Sequence, residues 1–519
     1  MEELNRGSLS VWMDTGGCPS FPPLSESTTT DVCIIGAGVV GITTAYMLAR
    51  EGRKVLVLDA NAIGGVETLR TTAHLSNAND DYYVHLERQH GEKGSRLAAE
   101  SHTSAIDRIE AIVAEEQIEC GFTRLDGYLF VAPGEPPEFL NEELAAAHRA
   151  GLTSVYRLER SVLSSFDCGP SLCFPRQAQF NIAPYLKRLI EVVQARGGRF
   201  HGDTHVSKIE GGPTARIETT SGRSVEARAV VVATNTPIND RVVMHTKLAG
   251  YQSYVIALPV PRGSVPLGLY WDTADPYHYV RLHSDMRDHA EEDLLIIGGE
   301  DHKTGQANDA QERYSRLEAW TRKRFAGAGE VAYRWSGQLM ESIDGLAYIG
   351  RNPLDAENVY IVTGDSGHGI THGTIAGMLL TDLIQGRPNP WEDLYDPSRK
   401  NVASVGNYFR ENLNVAAQYT DFAFGDSVNS VDEIPNGEGA VLHHGLMRIA
   451  AYRDENGTLH ECSAVCPHLG CIVGWNSGEK TWDCPCHGSR FNAEGKVIHG
   501  PAVSSLGPVP ESVLVQREG

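Results

Sequence analysis

Between Asp31 and Ala60 the chain reads DVCIIGAG, then VGITTAYMLAREG, then KVLVLDA: an apolar run, a glycine turn, a helical segment and a second apolar run. That order specifies a βαβ unit, and Lys54 to Leu58 is apolar enough to be a strand buried on both faces. Gly52 stands where a glycine ends a helix. Gly36, Gly38 and Gly41 form G-x-G-x-x-G directly after the first strand. The first glycine permits the turn, the second lets a pyrophosphate approach the backbone, and the third lets the helix pack close to the strand, whose neighbouring helix N-terminus favours negative charge. Asp59, 18 residues beyond Gly41, ends the next strand and is placed to accept a ribose hydroxyl.

Two later segments repeat the buried-strand pattern: EARAVVVATN at 226–235, and NVYIVTGDSGHGITHGTIAGMLLTDLI, which starts at Asn358 as strand, glycine loop and helix. All three are expected in one sheet. Between them, Tyr- and Val-rich strands such as YQSYVIALPV and YHYVRL suggest a substrate-facing part. At 519 residues the chain exceeds one ordinary core. The expected division is an N-terminal extension at 1–30, a cofactor-binding part at about 31–79, 171–245 and 336–390, a substrate domain at about 80–170 and 246–335, a linker at 396–425 and a small β domain at 426–519. Asn-Gly and Gly-Glu-Gly turns mark the last as antiparallel. The fold class expected is an α/β Rossmann-like domain with an interleaved α+β substrate domain and an all-β C-terminal domain.

The balance of 45 Lys+Arg against 67 Asp+Glu gives a formal charge of -22, which repels nucleic-acid backbones and anionic lipid surfaces. No run approaches the ~20 apolar residues of a membrane span, and the N-terminus lacks the pattern of a secretory signal. A cytoplasmic location is the expectation.

Five of the ten cysteines fall between Cys462 and Cys486. Cys466 and His468 form C-x-H, and Cys484 and His487 form C-x-x-H. Two thiolates suit one iron and two neutral imidazoles the other, the ligation of a Rieske [2Fe-2S] centre. A Cys2His2 zinc site uses the same ligands, and reduced core cysteines are a third reading. The segment CPHLGC to CPCHGSRF resembles Rieske domains of the cytochrome bc type. That resemblance implies a disulfide between Cys471 and Cys486 tying the two cluster loops, and a hydroxyl of Ser489 donating to a cluster sulfur. Phe491 stands where the highest-potential members carry tyrosine, so a potential in the lower part of the Rieske range is expected.

DVCIIGAGVVGITTAYML, VVVATN and NVYIVTGDSGHGITHGTIAG resemble the D-amino-acid oxidase and glycine oxidase superfamily, over about 30–390. The resemblance implies FAD and oxidation of a C–N or similar bond. The helix after GDSGHGITHG would then face the pyrimidine end of the flavin. Its expected contacts are Gly36, Ala37, Gly38, Gly41, Asp59, Ala60, Thr72, His74, Val206 and Ala233, with Gly367, His368, Gly369, Ile370 and Thr371 at the ring. His74 falls where related dehydrogenases approach the flavin, some attaching it covalently. FAGAGEVA at 325–332 lacks a third glycine and reads as a turn, so no second nucleotide site is expected, and no 2-His-1-carboxylate iron site is recognisable.

For substrate chemistry, alternation in YHYVRL puts Tyr277, Tyr279 and Arg281 on one face, where they could clamp a carboxylate; His368 is the candidate at the ring. A flavin takes two electrons together and the cluster one. The expected function is therefore a dehydrogenase that oxidises a small amine or amino-acid-like substrate and passes electrons through the cluster to an external acceptor. The alternatives are a reductase fed by an external donor and an electron-transfer module without its own small substrate.

Overall fold

The computed structural model describes residues 8–160, 162–163, 165–239, 244–284, 291–418, 428, 430–445 and 447–509. Its first sheet is built on the strand Thr28–Ile35, flanked in parallel by Val55–Leu58 and Ser224–Val232, with Arg199–His201 and Val359–Thr363 outside them. The three apolar segments expected to share a sheet do so. Val32, Ile34, Val55 and Val57 pack under the helices Val39–Arg50 and Gly369–Gln385. Cys33, Ile35, Leu56 and Leu58 face the other way, toward Ala215, Ile217 and Met340. Both faces are covered, which is why the runs are apolar without a break.

The second sheet runs in the order Tyr333–Ser342, Leu248–Pro261, Glu292–Lys303, His278–His283, Leu269–Asp272, Thr123–Phe130, Ser171–Gln179, His74–Leu75. One face carries Tyr254, Ile256, Tyr270, Val280 and Leu295 and packs on the helix Ala310–Arg324. The opposite face turns Ser253, Val255, Trp271 and Tyr279 toward the first sheet. Three strands assigned from sequence to the cofactor part, His74–Leu75, Ser171–Gln179 and most of Tyr333–Ser342, belong to this second sheet. Local alternation identifies a strand but not the partner it pairs with.

The N-terminal extension and the linker are also more integrated than expected. Thr28–Ile35 begins within the extension, and the short helix Val11–Thr15, capped by Ser10, buries Trp12, whose Nε1 donates to the Thr71 carbonyl at 2.6 Å. The linker contains the helix Val405–Gln418, held by Lys303 to Glu411 at 2.5 Å and Asn412 to the Thr246 carbonyl at 3.0 Å. Residues 419–425 of the linker lie outside the described residues.

The C-terminal domain has a three-stranded antiparallel sheet (Glu438–His444, Met447–Arg453, Leu459–Ser463) and a four-stranded one (Gly474–Asn476, Thr481–Asp483, Arg490–Asn492, Val497–His499). It docks on the first two sheets through buried charge. Arg490, 4 % exposed, bonds Asp483 at 3.2 Å within its own domain and reaches Glu67 at 3.4 Å across the boundary. Arg70 answers from the other side, meeting Glu479 at 2.8 Å. Ser8 and Ser336 donate to the same Glu479 carboxylate. Among the described residues no helix is long and apolar enough to cross a membrane.

Removing one member of a buried charge group leaves its partners desolvated and unpaired. Arg490→Met is expected to cost about 3–5 kcal/mol in urea unfolding of the full chain; an effect near zero would show that Asp483 and Glu67 find other partners. Burial works to raise the Glu479 carboxyl, but Arg70, Arg490 and the two hydroxyls more than offset it, so it titrates below its ordinary value. A depressed folded value stabilises fully above the unfolded one and is lost as pH falls through the folded one. Domain docking is therefore expected to weaken below about pH 4, read as faster proteolysis between the domains, whereas Glu479→Gln should flatten that dependence.

Candidate active site and cluster site

An elongated cavity of about 330 Å3 lies between the first and second sheets. At one end is the glycine turn. Gly36 has φ +99°, and a Cβ there would sit 2.3 Å from the Ala233 carbonyl oxygen; at Gly41 it would sit 1.9 Å from that of Gly36. Only glycine fits either position. Gly38 caps the helix Val39–Arg50 without a side-chain bond, so the positive end of the helix meets the cavity where Gly36, Gly38 and Val39 line it. Asp59 accepts from the backbone N–H of Ala37 at 2.7 Å and of Asn61 at 2.8 Å, and burial raises its carboxyl to about 6. Asp59, Ala60, Val206 and Ala233 line the same end. Ala37 and Gly41 sit behind the wall and shape it.

At the far end the glycine loop enters the helix Gly369–Gln385, and Gly367, His368, Gly369 and Ile370 line the cavity. Thr371 does not; its hydroxyl closes the helix start on the His368 carbonyl at 3.1 Å. His368 Nε2 lies 3.3 Å from Asp80 Oδ1; burial is the largest influence and disfavours its charge, but Asp80, Asp81 and Asp365 together offset it and raise its titration. Thr72 and His74 complete this end from the second sheet, with His74 Nδ1 3.1 Å from the Thr72 hydroxyl. Burial, assisted by Arg281, lowers His74 to about 3 and keeps it neutral.

The structure separates the three residues read as a carboxylate clamp. Tyr277 and Tyr279 line the cavity with their rings 5.6 Å apart, and Tyr279 shares a hydrogen bond with Ser253 at 3.1 Å. Arg281 is 1 % exposed and its Nη1 donates to the carbonyls of Thr72, Ala73 and Phe180 at 2.8, 2.8 and 3.2 Å. The guanidinium is consumed in holding the segment that carries His74. Alternation along a strand could not show that one of the three would be filled by main chain.

Trp271, Ser253, Gln338 and Asp80 also line the cavity and carried no sequence signal, since strands distant in the chain deliver most of them. Gln338 is 4 % exposed, donates from Nε2 to the Gly488 carbonyl at 2.9 Å and leaves its Oε1 buried without a hydrogen bond. The long cavity, the glycine cradle at one end, the helix start at the other and this spare acceptor fit a dinucleotide with a ring system.

In the C-terminal domain the ligand candidates converge from two loops. The Cys466 and Cys484 thiols hydrogen bond each other, which lowers the first and raises the second, and the rings of His468 and His487 stand 5.0 Å apart. Burial, then His468 and His245, lowers His487 to about 3, giving the neutral imidazole that a metal needs. A disulfide joins Cys471 to Cys486. Ser489 is fully buried with its hydroxyl toward Cys466, and Phe491, equally buried, offers none. The pairing of two sulfurs and two imidazoles fits the two-iron ligation. His245, from outside the C-terminal domain, packs its ring 4.8 Å from His468 and 6.0 Å from His487. It lay in no recognised motif.

The FAD dependent oxidoreductase family model matches residues 31–383, and the Rieske [2Fe-2S] domain model matches 427–511. A Rieske 2Fe-2S iron-sulfur protein of Bacillus subtilis (strain 168), YhfW, is 32% identical over 506 residues, 96% of each chain. Gamma-glutamylputrescine oxidoreductase of Escherichia coli (strain K12) is 27% identical over 382 residues, 70% of this chain and 86% of that one. The crystal structure of glycine oxidase from Geobacillus kaustophilus superposes with a TM-score of 0.60 at 17% identity, over 72% of this chain and 99% of that one. The cavity thus belongs to an amino-acid-oxidase-type fold that binds FAD, and the chain is a member of the FAD dependent oxidoreductase family carrying a C-terminal Rieske [2Fe-2S] domain.

Proposed function

We propose that the protein oxidises a small amine at the ring end of the cavity and delivers the electrons through its own Rieske centre to an acceptor outside the chain. The observation that carries this reading is Gln338, one side chain that lines the cofactor cavity and hydrogen bonds Gly488, the residue next to the ligand His487. The two redox sites share a wall. Bound FAD supplies a two-electron acceptor and the cluster a one-electron carrier.

The residues at the ring end favour an amine over a carboxylate. Arg281 is spent on main chain, and Arg70, which also lines the cavity, is spent on Glu479. Tyr277, Tyr279 and Trp271 present aromatic faces, which attract a cationic nitrogen. Burial raises the Tyr277 hydroxyl well above its ordinary value, and Asp80 is the largest of the carboxylate contributions that add to it. Neutral His74 packs its ring edge-on to that of Tyr279, 5.5 Å away, and adds no charge to oppose a cationic nitrogen. The match to gamma-glutamylputrescine oxidoreductase is in keeping with an amine.

Anaerobic addition of candidate amines to the purified protein is expected to bleach the flavin band and then to bring up the EPR signal of the reduced cluster, with no other reductant present. If the flavin bleaches only after an external donor has first reduced the cluster, electrons run in the opposite direction and the proposal fails. Phe491→Tyr supplies a hydroxyl where none stands. One added hydrogen bond of about 1 kcal/mol corresponds to roughly +40 mV for a one-electron couple, so a redox titration of the variant should move upward by that order, and an unmoved potential would show that this position does not tune the centre.

A further inference from the structure

The cavity is not enclosed by the flavin side alone. Val497, Ile498, His499, Gly500 and Ala502 of the C-terminal domain line it as well. Two bonds fix where along the cavity they stand. Asn61 Nδ2 donates to the Ile498 carbonyl at 3.2 Å, and His205 Nε2 lies 2.8 Å from the Val503 carbonyl. Asn61 follows Asp59 and Ala60, and His205 precedes Val206, so the segment lies over the end that holds the acidic residue placed for a ribose, not over the ring end. A third contact, Asn235 Nδ2 to His499 Nε2 at 3.4 Å, joins it to the strand end that cradles Gly36.

The segment carries features that its own domain does not explain. His499 is 8 % exposed, and its Nδ1 makes no well-formed hydrogen bond, the backbone of Gly500 being the polar group beside it. Ile498 is absent from the apolar cluster of the C-terminal domain, although its neighbour Val497 packs there. A half-buried isoleucine directed at a cavity, beside an imidazole with unused capacity, is what a closed binding site requires of its lid.

We infer that the Rieske domain is itself part of the dinucleotide site, its 497–502 segment closing the cavity over the ribose and phosphate end of FAD. Cofactor binding and domain docking are then one linked equilibrium: whatever the segment adds to FAD affinity, FAD returns to domain docking by the same factor. The inference rests on FAD binding and not on the substrate or on the direction of electron flow.

The test compares Ile498→Glu with Ile498→Gln in the full-length holoprotein. A carboxylate in the wall over the ribose and phosphate end adds a negative charge close to the dinucleotide's anionic phosphates, whereas the amide of equal size does not. Ile498→Glu is expected to weaken FAD binding at least roughly tenfold relative to Ile498→Gln, measured as flavin released per cluster and as the Kd for added FAD, with the cluster EPR signal unchanged in both. Hydrogen exchange of wild-type protein, stripped of FAD and then reloaded, gives a second measurement free of any variant: the amides of 497–503 should slow on reloading. Equal FAD affinity in the two variants, or exchange in 497–503 that ignores FAD, would overturn the inference. Amine-dependent bleaching is a separate readout, so failure here is distinguishable from failure of the proposed reaction.

Discussion

The arrangement of the two redox sites depends on a small group of buried charges. Arg490 and Arg70 stand among Asp483, Glu479 and Glu67, and the group crosses the boundary between the C-terminal domain and the sheets that hold the cofactor cavity. Such a group is poor at adding stability, because desolvation consumes most of the Coulombic gain. It is good at fixing geometry, since a displaced domain would leave several charges buried and unpaired. The position of the Cys484 to Gly488 loop against Gln338, and of the last β-strand against the cavity, follows from that constraint.

The cavity itself is a product of two sheets that meet face to face. The parallel sheet contributes the glycine turn and Asp59, which line one end of it, while the second sheet contributes Tyr279, Trp271 and Ser253. Arg281 shows how such a site can depart from what a strand pattern suggests. Its guanidinium satisfies the carbonyls of Thr72 and Ala73 beside His74 and of Phe180 just past the strand Ser171–Gln179, acceptors that would otherwise be buried unpaired, and it thereby holds His74 at the ring end. The same contact spends the Arg281 guanidinium on main chain and so withholds it from a substrate carboxylate.

Much of the cofactor machinery was legible in the chain. The glycine spacing, the strand before it and Asp59 after it belong to one contiguous βαβ unit, so short-range order suffices to place them. The cluster ligands were legible for a similar reason, because both pairs lie within 22 residues and metal coordination dictates which side chains may appear. Gln338, Trp271, Asp80 and His245 were not. Each is an ordinary residue in an ordinary strand or turn, and its significance arises only when elements hundreds of positions apart are packed together. The boundaries at Ser171–Gln179 and at the linker helix were misread because alternation reports burial of a face without naming the partner.

The sequence by itself determined the chemistry available to this protein: a dinucleotide cradle, because only glycine admits the backbone approach, and a metal centre of two thiols and two imidazoles, with the flavin and the iron-sulfur cluster following from the resemblance of the surrounding segments to known families. The tertiary structure decided how those chemistries are joined. Which side chains face the cavity, which arginine is spent on main chain and which segment of one domain closes a site in another are set by long-range packing and by the cost of leaving buried polar groups unpaired, and neither quantity is written in any local run of residues.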